Sequence, residues 1–196
     1  YDPRYLEDPC QTIEQHAMLK ESTDIPMASN MAVSAFTTFP PNVKFSGIDI
    51  VLGELHNRGG FLAFKEFGML CRVFGWGLGG HSNNALGVSQ AAMIHACAAT
   101  PELAYAADTH YPWTDTDGDI IKGGKLQFHD GKMDVPEGNG LGVEIDEDAL
   151  MERHEQLLAG PPLDRQEMVR SIDPNAEVLG VDPPITNFPR YAKPRW

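Results

Sequence analysis

The sequence of 196 residues predicts an α/β fold of the TIM-type (β/α)-barrel kind, built on a parallel sheet. Three observations predict it. Up to about residue 110, short apolar runs alternate with stretches of helical spacing. No tight hairpin signal joins one run to the next, so the runs read as strands with helical crossovers. Each run is closed by a polar residue, and these residues (Glu7, Asn30, Glu54, His81 and Asp108) are separated by 23, 24, 27 and 27 positions. That step is what one strand, one helix and two loops require. A doubly wound open sheet places ligands only near its switch point, whereas a barrel uses all its C-terminal strand ends, so five polar closers in a row favour the barrel. The usual barrel has eight strands. Five strands, in a chain that opens Tyr1-Asp2-Pro3-Arg4-Tyr5 without Met, read as the back part of a longer protein, roughly strands 4–8 plus a C-terminal tail.

The runs are Tyr5-Leu6, Ile25 to Ala28, Ile48 to Leu52, Gly75 to Leu78 and Leu103 to Ala106. Between them, residues 61–74 place Phe64, Phe67, Leu70, Cys71 and Phe74 on one helical stripe. Residues 85–99 place Leu86, Met93, Ile94 and Cys97 on another, among alanines suited to close packing on strands. A further helix is expected over 31–38. After residue 110 the text turns to Asp- and Gly-rich turn chemistry, with a hairpin expected around Gly131 and a helix over 147–159 capped by Asp146. Seven prolines beyond Gly160 imply an extended tail. The expected organisation is one domain, with residues 1–110 as barrel and 111–196 as an excursion, one helix and a tail packed upon it.

Composition removes several function classes. The formal charge of −13 and a pI near 4.8 argue against nucleic acid, whose phosphates need a basic surface, and against a polybasic membrane contact. No apolar run approaches the roughly 20 residues of a membrane span. Cys10, Cys71 and Cys97 are too few and scattered for a disulfide framework, so the expected setting is a reducing cytoplasm.

The closers carry the candidate chemistry. Glu7 stands before a proline-forced turn, where its ordinary reading is an acidic loop; Asn30 reads equally as a helix N-cap. As ligands, a carboxylate and an amide oxygen one βα unit apart suit Mg2+, a hard ion that takes few protein oxygens. His81, in Gly80-His81-Ser82-Asn83-Asn84, is a candidate general base, and Glu54 on the preceding strand could fix its tautomer. Together they suit proton abstraction beside a carboxylate. Asp108-Thr109-His110 reads as a site contact or a polar turn. Arg165 could clamp a distal carboxylate or simply be solvated. His16, His56, His95, His129 and His154 show no metal spacing.

The strings Tyr5-Leu-Glu-Asp-Pro-Cys10, Ile25-Pro-Met-Ala-Ser-Asn-Met31, Val51-Leu-Gly-Glu54-Leu-His56, His81-Ser-Asn-Asn84, Asp108-Thr-His110 and Gly140-Leu-Gly-Val-Glu-Ile-Asp146 resemble, in order and spacing, the enolase superfamily and its glucarate dehydratase group. The resemblance spans the chain and matches the second half of such a protein. It implies a Mg2+-dependent carbon–oxygen lyase (hydro-lyase) of carbohydrate-acid catabolism. Such an enzyme removes the proton α to a carboxylate of D-glucarate or L-idarate and expels the β-hydroxyl, giving 5-keto-4-deoxy-D-glucarate. It further implies Glu7 and Asn30 as metal ligands, with Glu14 the second choice for Glu7. His81 would be general base and acid, Glu54 its partner, and Asn30, Ser82, Asn83, His110 and Arg165 substrate contacts. The full-length protein is expected to be a homo-oligomer that binds a small aldarate. The family pattern has Asp where Glu54 stands, and a His where Ala85 follows the Asn pair; the first metal Asp and the Lys-x-Lys motif have no counterpart. A non-catalytic piece, or a dehydratase or epimerase of another aldarate, is the alternative.

Overall fold

The computed structural model describes residues 1–56, 59–83, 85–114 and 118–160. Five strands form one parallel sheet in chain order: β1 (Leu6–Glu7), β2 (Met27–Ser29), β3 (Ile50–Gly53), β4 (Gly77–Ser82) and β5 (Asp108–Thr109). Helices α1 (Ile13–Lys20), α2 (Phe39–Phe45), α3 (Gly60–Phe74) and α4 (Gly87–Ala98) supply the crossovers. The strand order never reverses, as a barrel requires and a doubly wound sheet does not.

The sheet curls. Tyr5, just before β1, and Tyr105, just before β5, meet edge to face with ring centroids 5.9 Å apart. In a flat sheet, four gaps of about 4.8 Å would separate those strands by roughly 19 Å. The two tyrosines pack with Ala28, Ile50 and Leu52 as an inner cluster. Met27, Val51 and Leu78 instead face Phe64, Phe67 and Cys71 of α3 and Met93 and Ala96 of α4. Along β3 the alternation Ile50 in, Val51 out, Leu52 in is the period of two that splits a strand between two cores. The arrangement is a curled, parallel half-barrel of (β/α) units.

Glycine makes β4 possible. A Cβ at Gly77 would lie 2.4 Å from the Tyr105 ring, at Gly79 2.8 Å from Leu52, and at Gly80 2.5 Å from Cys97 Sγ. The run of glycines is therefore strand packing, as its lack of a following Lys-Ser/Thr suggests.

Two expected elements fall differently. No helix covers 31–38: the chain bends from Asn30 to Val33, makes a 3-10 turn at Phe36–Thr38, and enters α2 at Phe39. Pro40 and Pro41 tolerate only the first turn of a helix, where their missing N–H is not needed. The Ser29 hydroxyl accepts from the Met31 and Ala32 N–H groups (3.1 and 2.7 Å), so Ser29 and not Asn30 caps this segment. The run at Leu103 to Ala106 is not a strand either. Ala104 and Tyr105 both donate to the single carbonyl of Leu78 (3.0 and 3.1 Å), which no regular ladder does, and pairing resumes at Asp108.

The excursion is tied back at the start of α4. The Asp119 carboxylate accepts from Gly87 N–H (2.8 Å) and from the Tyr111 hydroxyl (2.5 Å), which in turn accepts from Leu126 N–H. The expected hairpin closes as His129–Lys132, with Asp130 and Gly131 at φ 51° and 73°. Asp146 caps α5 (Glu147–Ala159) through Ala149 N–H. Residues Tyr1–Leu150 form one compact unit that includes the excursion; Met151–Trp196 form a second. The proline-rich tail lies outside the described residues. Among the described residues no helix is long and apolar enough to cross a membrane.

Gly80→Ala should lower unfolding free energy by about 1–3 kcal/mol, since Cys97 and Ala107 back the glycine, read by urea denaturation. Burial pushes the Cys71 thiol up to about 12 and the Cys97 thiol up to about 11. At pH 8 both should resist alkylation until the protein unfolds.

Candidate active site

Because the strands are parallel, all five closers lie at one rim. Three converge. His81 Nδ1 lies 3.0 and 3.1 Å from the two Asp108 carboxylate oxygens and 3.8 Å from Glu7 Oε1. His81 and Asp108 are paired in register on β4 and β5, so their side chains share a face. The curl brings Glu7 across from the far strand. His81 is 3% exposed, while the side chains of Glu7 and Asp108 are 33% and 37% exposed. The imidazole thus sits behind a carboxylate pair open to solvent.

The other ring nitrogen is oriented too. Asn83 Nδ2 donates to Glu54 Oε1 (2.9 Å), which turns Asn83 Oδ1 towards His81 Nε2 at 3.3 Å. With Asn83 fixed this way, Nε2 is a donor. Nδ1 faces a carboxylate and donates as well. Both ring nitrogens donating describes an imidazolium, the acid form. Burial is the largest single influence on His81 and opposes its charge. The Asp108 hydrogen bond and charge, the Asn83 acceptor and Glu7 together outweigh it, and the ring is held above its ordinary value. Burial, then the Asp108 charge, raises the Glu7 carboxyl, against the pull of His81.

These contacts correct the expected dyad. The carboxylate bonded to His81 is Asp108 of β5, and the Glu54 contact to the ring runs through Asn83. Glu54 is buried at the end of β3, and its longer arm meets the amide in front of the ring. The same step of 27 residues that joins Glu54 to His81 joins His81 to Asp108, so the spacing already marked Asp108, in a segment that read equally as a site contact or a polar turn.

Asn30 is placed by a clip. Asp8, at φ 42°, accepts from the Ser29 hydroxyl and from Asn30 N–H (3.1 Å), tying the end of β1 to the end of β2. Glu7 and Asn30 thereby stand at adjacent strand ends. Glu14 does not join them; it is exposed in the first turn of α1, where its charge meets the helix dipole. His110 is exposed, with its ring edge-on to His81 at 5.8 Å. Ser82 points away from the ring: its hydroxyl bonds Thr109 Oγ1 (3.1 Å) and Gln90 Oε1 (3.2 Å), and Thr109 also donates to Gln90 (2.8 Å). Gln90, which the sequence reading missed, so clasps the residue after His81 to the residue after Asp108. Arg165 lies outside the described residues. His16, His56 and His95 bond Thr12 O, Ser89 Oγ and Leu141 O, as structural histidines do.

A parallel half-barrel with a His–carboxylate centre on its C-terminal rim defines the class. Residues 1–149 match the enolase C-terminal domain-like family, and the chain belongs to it. It is 34% identical over 192 residues to a probable glucarate dehydratase of Streptomyces coelicolor, covering 98% of this chain and 42% of that protein. Among solved structures it is similar to an enolase from Thermobispora bispora complexed with magnesium and formate (42% identity, TM-score 0.79, 87% of this chain and 41% of that one). It is similar also to an enolase from Mycobacterium smegmatis complexed with tartrate (44% identity, TM-score 0.78, 88% and 41%). The chain thus spans about two fifths of the length of these relatives.

Asp108→Asn removes the main support of the charged ring. His81 should then titrate at lower pH, read from its ring 15N shifts. The raised value also fixes the sign for stability. The advantage of the wild type over the variant should be full below pH 6.5, the ring's ordinary value, and fade as pH rises through the folded value, read by urea unfolding across pH.

Proposed function

We propose that this chain supplies part of the active site of a Mg2+-dependent acid-sugar dehydratase acting on D-glucarate or a close aldarate. The observation that carries the reading is the convergence of Glu7, His81 and Asp108 on one rim, with Asn30 clipped beside Glu7. It is supported by the identity to the probable glucarate dehydratase and by the hydroxy-diacid tartrate bound in a relative.

Glu7 and Asn30 are hard oxygen donors on adjacent strand ends and fit Mg2+, which keeps waters or substrate oxygens in its remaining positions. When bound, the ion would supply charge stabilisation to a substrate carboxylate as its α-proton leaves. The residues of this chain do the rest. His81 exchanges protons at a ring nitrogen: neutral, it takes the α-proton; charged, it returns a proton to the departing β-hydroxyl, which leaves as water. Asp108 stabilises the charged ring between those steps, and Asn83 with Glu54 holds its plane. His110, edge-on to His81, offers a donor to a distal hydroxyl or carboxylate of the substrate. Arg165 is proposed for the distal carboxylate, and the same reading takes the full-length protein as a cytoplasmic homo-oligomer of carbohydrate-acid catabolism.

The test joins this chain to the remaining N-terminal portion of the Streptomyces coelicolor relative and follows keto-acid formation from D-glucarate, with α-hydrogen exchange in D2O. Turnover should require Mg2+ and stop with chelator. His81→Asn should lower keto-acid formation by about 10²–10⁴-fold. No turnover in the parent fusion would mark a non-catalytic piece. Exchange without keto acid would mark an epimerase, and turnover of a different aldarate alone would move the substrate.

A further inference from the structure

The contact between His81 and its two carboxylates has a consequence separate from proton transfer. Glu54 fixes Asn83, and Asn83 fixes Nε2 of His81 as a donor. Nδ1 is then the only ring position left to face Glu7 and Asp108. A bare lone pair aimed at two carboxylates is repulsive, so something positive must stand between them: a proton, or a cation.

The spacing admits a cation. One ligand atom from each of Glu7, His81 and Asp108 lies within 4.8 Å of the others, and Nδ1 is 3.0 and 3.8 Å from the two carboxylates. Metal–nitrogen and metal–oxygen bonds of about 2.0–2.2 Å place neighbouring donors roughly 3 Å apart, so the His81–Asp108 spacing already fits and the widest gap in the group needs to close by no more than about 1.8 Å. The half-exposed carboxylates leave a solvent side for water ligands. The hydrogen bond at the far ring nitrogen is the outer-shell support that metal-bound histidines use to fix tautomer and plane.

We propose that Glu7, His81 and Asp108 form a site for a borderline divalent cation of the Zn2+ class, distinct in donor set from the oxygen pair Glu7 and Asn30. An imidazole with two carboxylates suits Zn2+ or Co2+, whereas Mg2+ prefers oxygen alone. Glu7 belongs to both sets, so the two ions exclude each other. An ion on Nδ1 also holds His81 as a ligand and takes it out of proton transfer, making such metals inhibitors. That last consequence rests on the dehydratase reading; the binding does not.

Calorimetric titration of the 196-residue chain with Zn2+ tests the site, with Co2+ as the visible-absorption probe. One tight ion per chain is expected. His81→Asn and Asp108→Asn should each weaken it about tenfold or more, and Asn83→Ala by about tenfold through lost orientation. Asn30→Ala and His129→Ala should leave it unchanged. In the wild type, Zn2+ should shift the His81 ring nitrogen resonances, a readout that needs no variant to fold. No Zn2+ uptake, or unchanged affinity in His81→Asn judged folded by circular dichroism, would overturn the proposal; so would loss of binding in Asn30→Ala. Stoichiometric Zn2+ binding at His81 in a fusion without dehydratase activity would sink the functional reading while leaving the site standing.

Discussion

The candidate site depends on strand direction combined with curl. Five parallel strands put every C-terminal end on one rim, and a parallel pair sets residues side by side in register, which is how His81 and Asp108 come to share a face. Direction alone would leave Glu7 on a distant strand. The inner packing of Tyr5 on Tyr105, with Ala28, Ile50 and Leu52 filling the space between, draws the first strand towards the last, and Glu7 reaches His81 as a result. The apolar interior and the polar rim are thus two levels of one structure.

Short strands make side-chain clips necessary. β1 and β5 are two residues long, and so few ladder bonds leave register weakly specified. At one edge Asp8 holds Ser29 and Asn30; at the other Gln90 holds Ser82 and Thr109. The clips sit at or beside the site residues, so Glu7, Asn30, His81 and Asp108 take their positions from Asp8, Ser29, Ser82, Thr109 and Gln90. Beyond the rim, Asp119 fills the N-terminus of α4 with a carboxylate from the chain itself, so that helix end serves architecture.

Much of this was legible in the sequence for a physical reason. A crossover unit has a nearly fixed length, so constant spacing between Glu7, Asn30, Glu54, His81 and Asp108 carries the parallel fold and the shared rim. The α3 stripe was legible because Phe64, Phe67 and Cys71 are large and recur at helical period. Less legible were outcomes decided by excluded volume and by competition among polar groups. Spacing does not say that the helix starts at Phe39, just ahead of Pro40 and Pro41 and past the whole of the expected 31–38 span, or that Ser29 outcompetes Asn30 as the cap. Nor does it say which of two flanking carboxylates wins an imidazole.

That competition turns on reach. Glu54 and Asp108 flank His81 on the two neighbouring strands, and both are carboxylates. Asp108 is paired with His81 in register, and its short arm brings both oxygens to Nδ1 with one fewer side-chain torsion to fix than a glutamate has. Glu54 carries one methylene more, and at the buried end of β3 that length takes its oxygen to the Asn83 amide. An Asp at position 54 would fall short of Asn83 and free that amide to turn. Nε2 would then lose its fixed acceptor while Asp108 kept Nδ1. The two carboxylates thus serve the two ring nitrogens, Asp108 directly and Glu54 through the Asn83 amide.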